Sequence, residues 1–159
     1  MPELSIGTTL VGADSLIADL NAISARVNVA LENAANKSGQ MLVATFDRRF
    51  EDEGPGWAPL KPSTLASKRG SKILTETGSL RGSIAYHPDK KGGGFVGILR
   101  SRPGKGGGKG PKSPVAANVA LCHELGTSKM VARPFIEPTY REKKDEIVHI
   151  YAEALGRIF

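Results

Sequence analysis

The sequence predicts an α+β fold: a small antiparallel β-sheet packed with a long N-terminal helix and a C-terminal helix. Three observations predict it. The first third carries an unbroken helical periodicity, the middle holds two short β-rich runs at hairpin spacing, and a second amphipathic helical run closes the chain.

Residues 5–12, SIGTTLVG, are β-rich and end in Gly, which predicts a first strand. Asp14 then occupies an N-cap position ahead of Leu16, Leu20, Ile23, Val27, Leu31, Ala34, Ser38, Met41 and Thr45, which recur at steps of three and four. No proline interrupts before Pro55, so the pattern predicts one helix from Asp14 to Phe50, with Gly39 as the place for a kink. At 1.5 Å per residue such a helix is roughly 50 Å long. One small sheet cannot cover that much apolar stripe, so part of Leu16–Met41, or of the closing helix, is expected to pack against another subunit.

Residues 51–72 are rich in turn formers, and Pro62-Ser63 opens a short helix that runs to Lys68 and stops by Gly70. A helical turn and a strand from Gly82 to His87 follow, with a partner strand over 95–100, FVGILR. VAANVALCHELG, 115–126, reads as a helix ended by Gly126 at C′. Val131–Glu137 is expected to be extended between Pro134 and Pro138, and Pro138 to open the last helix, which runs to Leu155. Its apolar stripe is Tyr140, Ile147, Ile150, Tyr151, Ala154 and Leu155.

At 159 residues and 40% hydrophobic, the chain is long enough for a single domain with its own core. One cysteine, Cys122, allows no intrachain disulfide. No secretory signal and no apolar run of membrane-spanning length is visible, so cytoplasmic production is expected and no membrane partner.

The net charge of +6 sits in one place. Between Asp89 and Lys112 seven basic residues face one acid, and the rest of the chain balances 15 against 15. Residues 101–114, SRPGKGGGKGPKSP, cannot bury enough apolar surface to order themselves. They are expected to form a mobile electrostatic loop carrying Lys105, Lys109 and Lys112, facing either DNA or an acidic partner. A nucleic-acid-binding accessory protein using 89–112 is therefore one reading. Phe95 is the only ring there, however, so base stacking is not indicated.

Catalytic and ligand motifs fail on spacing. Neighbours on a helix point about 100° apart, so Cys122 and His123 pair poorly, and they read as a buried thiol beside a half-exposed imidazole. Thr127 stands where a zinc helix needs its second His. Gly108-Lys109 lacks both the upstream Gly and the following hydroxyl of a phosphate loop. No catalytic residue, metal or cofactor is indicated. Trp57, in the Pro-stiffened GPGWAPLKPST, reads either as a cover over the core or as an interface anchor.

Two blocks carry a resemblance. Gly56–Thr64, with Trp57, Leu60 and Thr64, is followed by ILTETGSLRGSI, with Gly78 and Leu80. Later comes HELGTSKMVARPFIEP, with Glu124, Gly126, Thr127, Arg133, Pro134 and Phe135. In order and spacing these resemble the phage virion morphogenesis family, the Mu-like tail-completion and head–tail joining proteins, over roughly residues 56–155. The Gly/Lys insert at 101–114 departs from that pattern. The resemblance implies a non-enzymatic structural protein of the virion, placed at the head–tail junction and assembled in the host cytoplasm as a ring, hexameric in many relatives. Its implied partners are copies of itself, neck or connector proteins and tail-tube or sheath proteins, with DNA nearby in the channel. The motif residues are then candidates for fixing the arm, within or between subunits, and Phe135 for plugging the core or a neighbour.

Overall fold

The computed structural model describes residues 12–89, 92–99 and 116–158. The expected first strand at 5–12 lies outside these residues but for Gly12, and the basic loop 101–114 lies outside them entirely. The fold is α+β. Helix α1 (Ala13–Glu51) is followed by α2 (Pro62–Ser67), a 3-10 turn (Arg81–Ser83), strands β1 (Ala85–Pro88) and β2 (Gly94–Gly97), α3 (Ala116–Leu125) and α4 (Ile136–Gly156).

Helix α1 runs through Gly39 without a break. The glycine has another reason to be there. A Cβ on it would lie 2.2 Å from the Tyr86 ring, so the missing side chain lets β1 press its tyrosine close against the helix. The helix starts two residues earlier than its N-cap signal suggests. Gly12, in a left-handed conformation, occupies the cap, and Asp14 sits in the first turn where a carboxylate still complements the helix dipole.

The hairpin is antiparallel, pairing Ala85 with Gly97 and His87 with Phe95. It begins three residues later than Gly82, because residues 81–83 wind into the 3-10 turn, where the Ser83 hydroxyl donates to Leu80 O at 2.7 Å. Likewise the second strand ends at Gly97 rather than continuing to 100. The hairpin and α4 both pack on α1. Arg49 of α1 holds α4 at its start, donating to Thr139 Oγ1 at 2.8 Å and to the Glu142 carboxylate at 2.6 Å.

The core is aromatic. Phe135 is 1% exposed, with its ring 5.2 Å from that of Phe50 and 6.2 Å from that of Phe46. Ile84 and Ala120 complete the buried cluster, and Leu42, Leu74, Leu80 and Val96 pack against it. Phe135 is thus a core residue of its own chain, which decides between the two places expected for it.

Helix α4 starts at Ile136, so Pro138 lies inside its first turn and not at its head. The extended arm is correspondingly shorter than 131–137. Of the anticipated α4 stripe, Ile150 is buried, while Tyr140 is exposed.

Candidate functional site

The two motif blocks, far apart in sequence, are locked together around the arm. Two successive left-handed residues, Glu53 and Gly54, turn the chain back after α1. A Cβ on Gly54 would meet the Trp57 ring at 2.2 Å, so the indole lies directly on that backbone. Trp57 meets Phe50 edge-on at 5.9 Å, and its Nε1 donates to Pro134 O at 2.9 Å. A Trp buried on one side needs a partner for its N–H, and here the arm supplies it. Trp57 therefore both covers the core and pins the arm.

Arg133 makes the reciprocal link. It is 7% exposed, and its guanidinium donates to the carbonyls of Ala58 at 3.0 Å and Pro59 at 3.3 Å. Its own backbone N–H donates to His123 O at 2.7 Å. A buried guanidinium is tolerated when its donors find fixed acceptors, and two loop carbonyls are such acceptors. Burial, and then the nearby Arg133 charge, hold the His123 imidazole below its ordinary pKa. Its Nδ1 is buried without a hydrogen-bond partner.

Glu124 acts at a distance. One carboxylate oxygen accepts the backbone N–H groups of Phe135 and Ile136 at 2.8 and 2.9 Å, and the other accepts that of Glu137 at 3.0 Å. These are the orphan donors of the first turn of α4, satisfied by a charged acceptor at the positive end of the helix. The cap is carried by the end of α3, so α3 and α4 are held at a fixed relation. Gly126 makes the reversal between them possible. Its φ is +75°, and a Cβ would sit 2.9 Å from Ala132 N. Thr127 and Met130 then exchange backbone hydrogen bonds across a tight turn, with the Thr127 hydroxyl accepting from Lys129 N.

The remaining motif residues are brought to the same end of the molecule or to the core beside it. Leu60 and Thr64 line an open cleft of about 350 Å³ whose other wall includes His123, Lys129, Met130 and Arg133. Gly78, at φ +71°, accepts from Gly82 N, and Leu80 packs on the aromatic core. Sequence reasoning missed Arg81, which holds this block to α1 through Asp47 at 2.7 Å and Glu51 at 2.8 Å. Hydrogen bonds to those two carboxylates raise the Arg81 pKa further. An i, i+4 pair of acids on α1 was the available signal.

Cys122 is exposed, contrary to the buried thiol expected. Helix α3 is apolar on nearly every side, so its sequence does not say which face turns inward. Ala116 and Ala120 face the core, while Leu121 and Leu125 do not. Among the described residues no cluster of three His, Cys, Asp or Glu side chains is placed to hold a metal ion. No helix among them is long and apolar enough to cross a membrane. Lys105, Lys109 and Lys112 lie outside the described residues.

A second surface stands out. The N-terminal part of α1 leaves Leu16, Ile17, Leu20 and Val29 more than half exposed, and Ile23 over a third. In comparisons with known proteins, no family model, no curated protein and no solved structure matches this chain.

Proposed function

We propose that this chain is a structural virion protein of a tailed phage. It assembles in the host cytoplasm into a ring, a hexamer in the first instance, and acts at the head–tail junction in neck or tail completion. Its neighbours are the connector above and the tail-tube or sheath proteins below. DNA passes through the channel, and the 101–114 loop is the segment suited to meet it or an acidic protein ring.

The observation that carries the reading is the exposed aliphatic stripe on α1. Leu16 with Ile17, then Leu20 and Ile23 in the following turns, left to water, cost a monomer solubility and suit a chain that is buried against other copies. The interlocked motif blocks support it as well. Trp57, Glu124, Gly126, Arg133 and Phe135 spend their polar and apolar contacts on fixing the arm and the core. That suits a rigid building block better than residues poised around a substrate.

The test is genetic and visual. Particles made without this protein should accumulate as filled heads and separate tails under the electron microscope, and supplying the protein should join them. Normal, infectious particles in its absence would refute the reading. If disruption instead impairs a nucleic-acid step with the joint intact, the basic segment is acting as a nucleic-acid-binding element.

A further inference from the structure

We infer that the projecting start of α1 from one copy docks in the 350 Å³ cleft of a second copy, giving a head-to-tail contact; the inference rests on the ring reading above. The two surfaces are matched in polarity and charge.

The projecting piece is well defined. Arg26 Nη2 donates to Ile158 O at 3.1 Å, where α1 meets the end of α4. From Asp14 to Arg26 every residue is exposed. This stub extends about 20 Å. At about 100° per residue, Ile23, Leu16, Leu20 and Ile17 form a stripe about 120° wide. Asp19 borders it on the Ile23 side and Asp14 on the Ile17 side. No basic residue precedes Arg26 within the helix, so the stub is a convex apolar ridge with an acid along each edge.

The cleft is the complement. Its apolar lining comes from Pro59, Leu60, Leu74, Met130 and Val131. Among the described residues, Lys61, Lys68, Lys129 and Arg133 also line it, against one acid, Glu76. An apolar floor under a basic wall fits an apolar ridge flanked by carboxylates, and the flanking charges set orientation and exclude other seatings. The smaller groove of about 170 Å³ beside Leu121 and Ile136 is apolar too, but among the described residues the only charged one lining it is Glu124, whose carboxylate caps α4. Those described residues offer the stub no countercharge.

Ridge and cleft are different patches of one chain, so the contact is heterologous and propagates around a ring when the rotation closes. The motif residues thereby gain a second consequence. By pinning the 58–60 loop to the arm, Arg133 gives the cleft fixed walls, so little ordering remains to be done on docking.

The experiment uses charge reversal in the full-length chain, with particle mass measured against concentration. One variant carries Asp14→Lys and Asp19→Lys, the other Lys61→Glu and Lys129→Glu; all four positions are exposed. Each variant alone should need about tenfold or more higher concentration to assemble than the parent. Mixed one to one, the two should assemble together, because each reversed stub then meets a reversed cleft and each parental stub a parental cleft. A misfolded variant would not be rescued in this way. Variants that assemble like the parent, or that fail alone and together, overturn the inference. So does a Leu121→Glu variant that abolishes assembly while both charge variants retain it. A parent that stays monomeric at high concentration overturns it as well. None of these results alters the particle phenotype that judges the role at the head–tail junction.

Discussion

The two halves of α1 share one amphipathic pattern and meet opposite fates. From Ala34 to Phe50 the apolar side chains enter an aromatic core bordered by the hydrogen bonds of Arg49, Arg81 and Arg133. From Leu16 to Ile23 the same kind of stripe faces outward, and only beyond it does Arg26 reach the carbonyl of Ile158, just past the end of α4. Periodicity therefore tells where a helix has an apolar face, and says nothing of whose surface covers it.

Substitutions can break this contrast, and those in the core half have the largest expected effect. Phe135→Ala should cost about 3–5 kcal/mol in chemical denaturation, since the ring touches Phe46 and Phe50 and the site is closed. A nearly unchanged monomer stability would mean that the ring is not in the core. Glu124→Ala leaves three backbone donors at the head of α4 without their acceptor and should cost about 1–3 kcal/mol. Amide exchange at Ile136 and Glu137 should accelerate before that at Ile150, showing that the loss begins at the helix start.

Gly39→Ala sharpens the comparison from the other side. Alanine is the better helix former by about 1 kcal/mol, yet here it drives a Cβ into the Tyr86 ring at a cost of about 1–3 kcal/mol. Thermal melting should fall by a few degrees, and Gly39→Ala in a Tyr86→Ala background should recover most of it. By contrast, Leu16→Ala or Leu20→Ala should change the stability of the isolated chain by about 0.5 kcal/mol or less. The same variants should weaken assembly measured by particle mass.

The smallest effect expected is that of pH. His123 has a folded pKa below its unfolded value of about 6.5, so the unfolded chain binds its proton first as pH falls. Its contribution is complete above about pH 6.5 and is lost as pH drops through the folded pKa. His123→Gln should flatten the stability profile in that window and leave it unchanged at pH 8.

Much of this fold was legible locally. The steps of three and four gave α1, Pro62 gave α2, and Gly126 gave the end of α3. The start of α4 was not legible, because its cap is a side chain 11 to 13 residues upstream, and no local rule reads a cap at that distance. The burial of Arg133 was equally hidden, since it depends on two carbonyls more than 70 positions away. Cys122 was misplaced because an all-apolar helix offers no facing signal. Within the candidate site, residue types and order could be read, but the link between Trp57 and Pro134 could not.

That link has a temporal side. Trp57 and Pro134 are 77 positions apart, and Arg26 and Ile158 are 132 apart. During synthesis the ribosome delivers α1 and the Trp57 loop long before the arm that closes over them. Contacts so distant in sequence form late, after the loops between them have been closed. A chain cut short ahead of residue 133 carries Phe46 and Phe50 without the Phe135 ring between them, and its Trp57 loop has no Arg133 to shape it. Prematurely terminated copies thus present a stub without a fixed cleft. If copies dock as proposed, such a chain would attach to one end of a growing ring and fail to accept the next copy, so the fidelity of translation would set how many rings close.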